Sequence, residues 1–197
     1  RLGLRLVTIS DGEFTLASGD DGIHADSATT ISGGTIDITE SYEGIEGLSI
    51  DITGGETYVS GPTNDGNSAL DYNGTGTVTG GIFIAAGSSG MAENFGDSST
   101  QGVMMVTVNS QAAGSAVSLS DSSGNELVSW TPEKEYTSVI ISCPEITTGQ
   151  EYTLTTGSDT TQITMDSIVY GSGSGMGGNP GNGGGPGNGG AMGQKPD

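Results

Sequence analysis

From Val7 to Ala86 apolar and polar residues alternate in short runs, most of them closed by glycine. One six-residue phrase recurs: VTISDG at 7–12, TTISGG at 29–34, IDITGG at 50–55 and GTVTGG at 76–81. Successive copies are offset by 22, 21 and 26 residues. Each copy is an alternating strand with an apolar third residue (Ile9, Ile31, Ile52, Val78) and a glycine-containing turn. A second short strand follows each turn, as EFTL, TIDI, ETYV and IFIA. Its expected inward residues are Phe14 and Leu16, Ile36 and Ile38, Thr57 and Val59, then Phe83 and Ala85. A third element comes next: DDGIHAD, YEGIEG, NDGNSALD and, more loosely, SSGMAE. No helical period competes with the alternation.

A repeat of this length holding three short strands predicts a parallel β-helix, in which like residues stack from coil to coil. A β-sandwich with regular turn spacing would share the period, but not the match of residue type column by column. Four passes at ~4.8 Å each give a stack only ~20 Å tall. Its first coil is expected to expose an unpaired edge, beside the apolar stretch LGLRLVTIS.

From Gln101 the repeat stops. VMMVTVNS, AVSLSDSSGNELVSW, YTSVIIS, EYTLTT and QITMDSIVY read as strands with turns at DSSGNE and TTGQ. Val103, Met105, Leu119, Leu127, Trp130, Val139, Ile141, Leu154 and Ile163 are the expected core of a small antiparallel unit. Residues 171–197 are mostly Gly, Asn, Pro and Met and read as a flexible tail or tether. The expected organisation is therefore 1–100, a parallel β-helix; 101–170, an antiparallel β unit packed at its C-terminal end; and 171–197, the tail. Arg1 reads as an arbitrary start without a signal peptide, which fits a mature or truncated chain.

Charge narrows the function. Lys plus Arg number 4 against 24 Asp plus Glu, a formal net charge of -20. Nucleic-acid binding needs cations to neutralise phosphate, so no nucleic-acid partner is expected. Docking on an anionic membrane fails for the same reason, and no apolar run approaches a membrane span. Cys143 alone makes no intrachain disulfide, and His24 is the only histidine. No Lys or Arg occurs from Leu6 to Glu133, so internal salt bridges cannot neutralise the acids there.

Those acids fall on the third elements. Aligned by Gly22, Gly44, Gly66 and Gly90, the preceding residues are Asp21, Glu43, Asp65 and Ser89. Two residues after the glycines stand His24, Glu46, Ser68 and Ala92, with Asp20, Asp26, Asn64, Asn67 and Asp71 close by. Stacked like carboxylates repel unless a cation lies between them. Calcium prefers six to eight oxygen ligands. Asp21, Glu43, Glu46, Asp65 and Asp71 are the main expected Ca2+ ligands, with Asp20, Asp26 and Asn67 secondary; a solvated acidic turn face is the alternative. Zinc would want His or Cys. The pattern is neither an EF-hand loop nor the nine-residue calcium repeat of secreted toxins.

GDDGIHAD, SYEGIEG, the ISGGTIDIT-type strands, SGPTNDGNSALDYNGT, AAGSSGMAENFG and QAAGSAVSLSDSSGNE resemble the bacterial carbohydrate-binding domain-containing proteins. The likeness runs from about Gly12 to Tyr170. It implies a polysaccharide-lyase-like, right-handed parallel β-helix that is extracellular or on the cell surface. It also implies calcium binding and a polysaccharide partner, cellulose or pectin-like. The family usually carries more N-terminal coils, and one coil is expected to be missing between EGIEG and TNDGN. The fold expected is thus all-β, a right-handed parallel β-helix of about four coils followed by the small antiparallel unit.

A β-helix lyase needs calcium to acidify the proton beside a uronate carboxylate and an Arg or Lys to remove it. The coils hold neither, and His24 sits among carboxylates that favour its protonated form. The expectation is a lyase-like scaffold that is not an enzyme, with a pectate-lyase-like activity as one alternative. Neutral glycans dock on exposed aromatic faces. Tyr42, Tyr58 and Tyr72, with Asn73 nearby, are the expected carbohydrate contacts. Tyr58 should point outward if Thr57 and Val59 point in. The remaining alternative is structural: a surface or filament subunit forming a homopolymer by end-to-end β stacking.

Overall fold

The computed structural model describes residues 5–171. The predicted tail lies outside these residues from 172 onward. Among the described residues there are only strands and turns, and no helix is long and apolar enough to cross a membrane. The strands are β1 (Val7–Ile9), β2 (Glu13–Ala17), β3 (Ile23–Glu40), β4 (Ile45–Ser60), β5 (Leu70–Val78) and β6 (Ile82–Gly87). After them come β7 (Val103–Gln111), β8 (Val117–Asp121), β9 (Glu126–Trp130), β10 (Tyr136–Ser142), β11 (Glu151–Thr156), β12 (Asp159–Thr164) and β13 (Val169–Tyr170).

The first six pair in parallel, as stacked coils of a β-solenoid of about four turns. The columns follow the sequence phrase. Ile9, Ile31, Ile52 and Val78 are successive partners. So are Leu16, Ile38, Val59 and Ala85, and likewise Phe14, Ile36, Thr57 and Phe83. Most isoleucines and valines stack on an aliphatic side chain, while Ile36 lies between Phe14 and Thr57, and the buried apolar members form one continuous core inside the coils. Phe14 departs from this pattern. It is 37 % exposed, because its coil is the first and nothing described covers that end of the column.

The glycine pairs turn the chain between two faces of the coil. Gly34, Gly55 and Gly81 have φ of 85°, 79° and 84°. A Cβ on Gly55 would lie 2.6 Å from the Gly34 carbonyl oxygen. Successive corners therefore nest backbone on backbone, which only glycine allows.

The C-terminal half adds to this stack in two ways. Strand β10 pairs antiparallel with β6, and β7 pairs antiparallel with β10. Hydrogen bonding thus crosses residue 100, and the solenoid sheet continues into the second half. Strands β12, β11, β8 and β9 form a separate antiparallel sheet, in that order. A second core lies between this sheet and the outer face of the last coils, from Ile84 and Ala86 to Leu119, Tyr152 and Leu154. The outward column Thr15, Asp37, Tyr58, Ile84 changes from polar to apolar toward that sheet. Strand β6 is consequently apolar on both faces, as a strand buried on both sides must be. Trp130, expected within the second core, is instead half-buried at its rim. It stacks on Tyr58 with ring centroids 5.9 Å apart.

Candidate functional site

The coil stretch at the start of β3, β4 and β5 carries Ile23, Ile45 and Leu70 inward. The next residue in each strand points outward, so His24, Glu46 and Asp71 form a register column. One turn earlier, Gly22 N–H donates to the Glu43 carbonyl at 2.9 Å and Gly44 N–H to the Ser68 carbonyl at 3.3 Å. These bonds place Asp21, Glu43 and Ser68 at equivalent positions. The expected alignment is corrected here. Ala69, not Gly66, stacks on Gly44, and Asp71, not Ser68, stacks on Glu46. The turn after β4, Gly61–Asn67, is longer than its predecessors, and the register resumes only at Ser68.

His24 Nδ1 faces Asp21 Oδ2 at 3.1 Å and makes a close contact with Glu46 Oε2. One ligand atom from each of Asp21, His24 and Glu46 lies within 4.8 Å of the others. Partial burial opposes charge on His24, but hydrogen bonds and charges from Glu46 and Asp21 prevail and raise its pKa. Burial, then the charges of Asp71, Asp21 and Glu46, push Glu43 up to about 7 despite the opposing His24. Glu46 is raised as well, by burial and a hydrogen bond with Asp21, against the pull of His24. The ladder therefore holds more negative charge than one imidazolium can balance.

Glu93, which sequence reasoning passed over, extends the ladder. It accepts the Tyr72 N–H at 3.1 Å, and burial and Asp71 raise its pKa against that bond. Its signal was its place in SSGMAE, the fourth copy of the third element.

The other expected ligands lie apart from the ladder. Asp65 is exposed in the long turn and accepts a hydrogen bond from Ser88 Oγ. Asn67 is buried, and its Nδ2 has no hydrogen-bond partner among the described residues. Asp20 is exposed one residue before the ladder. Asp26 faces Arg5 Nε and His24 Nε2, each at 3.7 Å.

The donor set is consistent with a hard cation. Asp21, Glu43, Glu46, Asp71 and Glu93 all offer carboxylate oxygens, the chemistry calcium prefers. His24 acts as the internal counter-charge at the Asp21–Glu46 end.

The aromatic candidates do not form one platform. Tyr42 is 53 % exposed at a coil corner. Tyr58 does point out of its coil, but Trp130 covers it, and its hydroxyl donates to Glu56 at 3.0 Å. Tyr72 packs against the solenoid core and donates to the Asn94 carbonyl at 2.7 Å. Asn73 is exposed beside it.

Fold and ladder together define an acidic β-solenoid buttressed by an antiparallel sheet. Comparison with family models, with curated proteins and with solved structures returned no match.

Proposed function

We propose that this chain is a non-catalytic, calcium-binding carbohydrate-binding module of the extracellular space or cell surface. The observation that carries the reading is the ladder. Asp21, Glu43, Glu46 and Asp71 come from three coils to one face, and Glu43 is pushed up to about 7 by burial and then by the charges of its neighbours. A face that disfavours its own charge is stabilised by a bound cation. Calcium supplies the positive charge that an acidic glycan needs to approach so negative a surface. The absence of Lys and Arg from Leu6 to Glu133 favours binding over lyase chemistry. Calorimetric titration of chelator-stripped protein with calcium, then with polygalacturonate, tests this reading. Calcium binding that raises thermal stability and enables polygalacturonate binding is expected. No calcium binding would overturn it.

A second reading, self-assembly, has its own observation. Strands β1 and β2 each pair only with β3 among the described strands, and Phe14 is exposed at that edge. The opposite end is built from antiparallel strands. Asn94 Nδ2 donates to the Tyr170 and Gly171 carbonyls, and β13 pairs with β7. Under this reading the open edge of β1 and β2 pairs with another copy of the chain, end to end.

A further inference from the structure

Three successive coil corners and one cap loop meet in a cleft of about 210 Å³ on the side of the solenoid. Ser18 and Gly19 come from the first corner, Glu40–Tyr42 from the second and Asn64 from the third. Lys134, from the loop between β9 and β10, closes it. Lys134 and Arg5 are the only Lys or Arg among the described residues. Lys134 is not spread into solvent: its side chain is 15 % exposed. Its Nζ donates to Glu40 Oε1 at 3.1 Å and to the Ser41 carbonyl at 2.9 Å. An ammonium carries three N–H groups, so one is left for the cleft. Asn64 Oδ1 accepts the Gly66 N–H at 3.0 Å, which leaves its amide NH2 as a donor. Tyr42 contributes a half-exposed ring to the wall.

We infer that this cleft binds one neutral sugar ring of a polysaccharide, independently of calcium, with Tyr42 as the apolar wall and Glu40, Asn64 and Lys134 as the polar contacts. The inference rests on the carbohydrate-binding reading and adds a neutral-sugar site to it. A pyranose offers an apolar ring face and adjacent hydroxyls that both donate and accept. Here an aromatic ring, a carboxylate acceptor and two N–H donors meet in one cleft. Local charge selects against acidic sugars. Glu40 already neutralises Lys134, and Glu133 and Glu135 flank it in sequence, so a uronate would meet net negative charge. The cleft shares no residue with the ladder of Asp21, Glu43, Glu46 and Asp71, so calcium bound there is not needed here.

The test is calorimetric titration of the whole chain with cellohexaose, mannohexaose and hexagalacturonate, in EDTA and in calcium. The variants are Tyr42→Ala and Asn64→Ala, with thermal unfolding to confirm that each is folded. Tyr42 and Asn64 are exposed, so these variants leave the core intact. Binding of at least one neutral hexasaccharide is expected in EDTA. Tyr42→Ala should weaken it about tenfold. Neutral binding that Tyr42→Ala and Asn64→Ala leave unchanged, or that EDTA abolishes, overturns the cleft while the carbohydrate reading stands. Binding of hexagalacturonate alone does the same. No binding of any of the three sugars, with or without calcium, overturns both.

Discussion

Gly55 shows how little room a coil corner leaves. Its φ of 79° lies in the left-handed region, and an added Cβ would meet the Gly34 carbonyl oxygen at 2.6 Å. The blocking atom is backbone, so no side-chain rotation relieves it. Gly55→Ala is expected to cost more than about 2 kcal/mol, read as a lowered midpoint in chemical unfolding. Gly114→Ala is its control, with φ of 78° but nothing within 4 Å. It should suffer only the conformational strain and lose less. Glu43 and His24 set the pH dependence at the same scale. Both have folded pKa values above their ordinary ones, so the folded state binds more protons. For Glu43 the window runs from 4.5 to about 7, and stability falls as pH rises through it. His24 acts with the same sign: its contribution is complete below 6.5 and is lost as pH rises through its elevated folded pKa. Calcium-free protein should therefore melt at a lower temperature above this window than below it. Glu43→Gln should flatten the profile. A profile that rises across the window would contradict the assignment.

At the scale of elements, the antiparallel sheet is held to the solenoid by what replaces polar residues in one column. Thr15 and Asp37 give way to Tyr58 and Ile84 as the coils pass beneath the sheet. Trp130 completes that junction at 5.9 Å from Tyr58, with ring planes at 27°. Trp130→Ala removes a half-buried aromatic and should destabilise the chain by about 2 kcal/mol. Tyr58→Ala on top of it should cost less than it does alone, because the two rings share one contact. Simple additivity in that double-mutant cycle would contradict the stacking.

At the scale of the whole molecule, the two ends differ. The first coil leaves β1 and β2 with one paired side each among the described strands, whereas β10, β7 and β13 extend beyond the last coil. Under the self-assembly reading, static light scattering should show concentration-dependent association. Phe14→Glu should suppress it by placing charge on the open edge. A chain that scatters as a monomer at every concentration sets that reading aside.

The coils were legible in the sequence because a solenoid repeats its environment. Each passage through the same face demands the same residue type, so Ile9, Ile31, Ile52 and Val78 declare one column without any long-range information. Much of the ladder was legible for the same reason: Asp21, Glu43 and Glu46 recur at matching positions. Its continuation was not, because glycine spacing says nothing about the length of the bulging turn Gly61–Asn67. Only main-chain pairing decided that Asp71 stacks on Glu46, while Asp65 stands apart in that turn and accepts a side-chain hydrogen bond from Ser88. The same holds for contacts between residues far apart in the chain. The covering of Tyr58 by Trp130 and the arrival of Lys134 beside Glu40 join segments separated by 72 and 94 positions. Such pairs leave no periodic trace. Alternation and repetition encode how a strand meets the next coil, whereas the packing of a non-repeating sheet onto those coils exists only once the chain has folded.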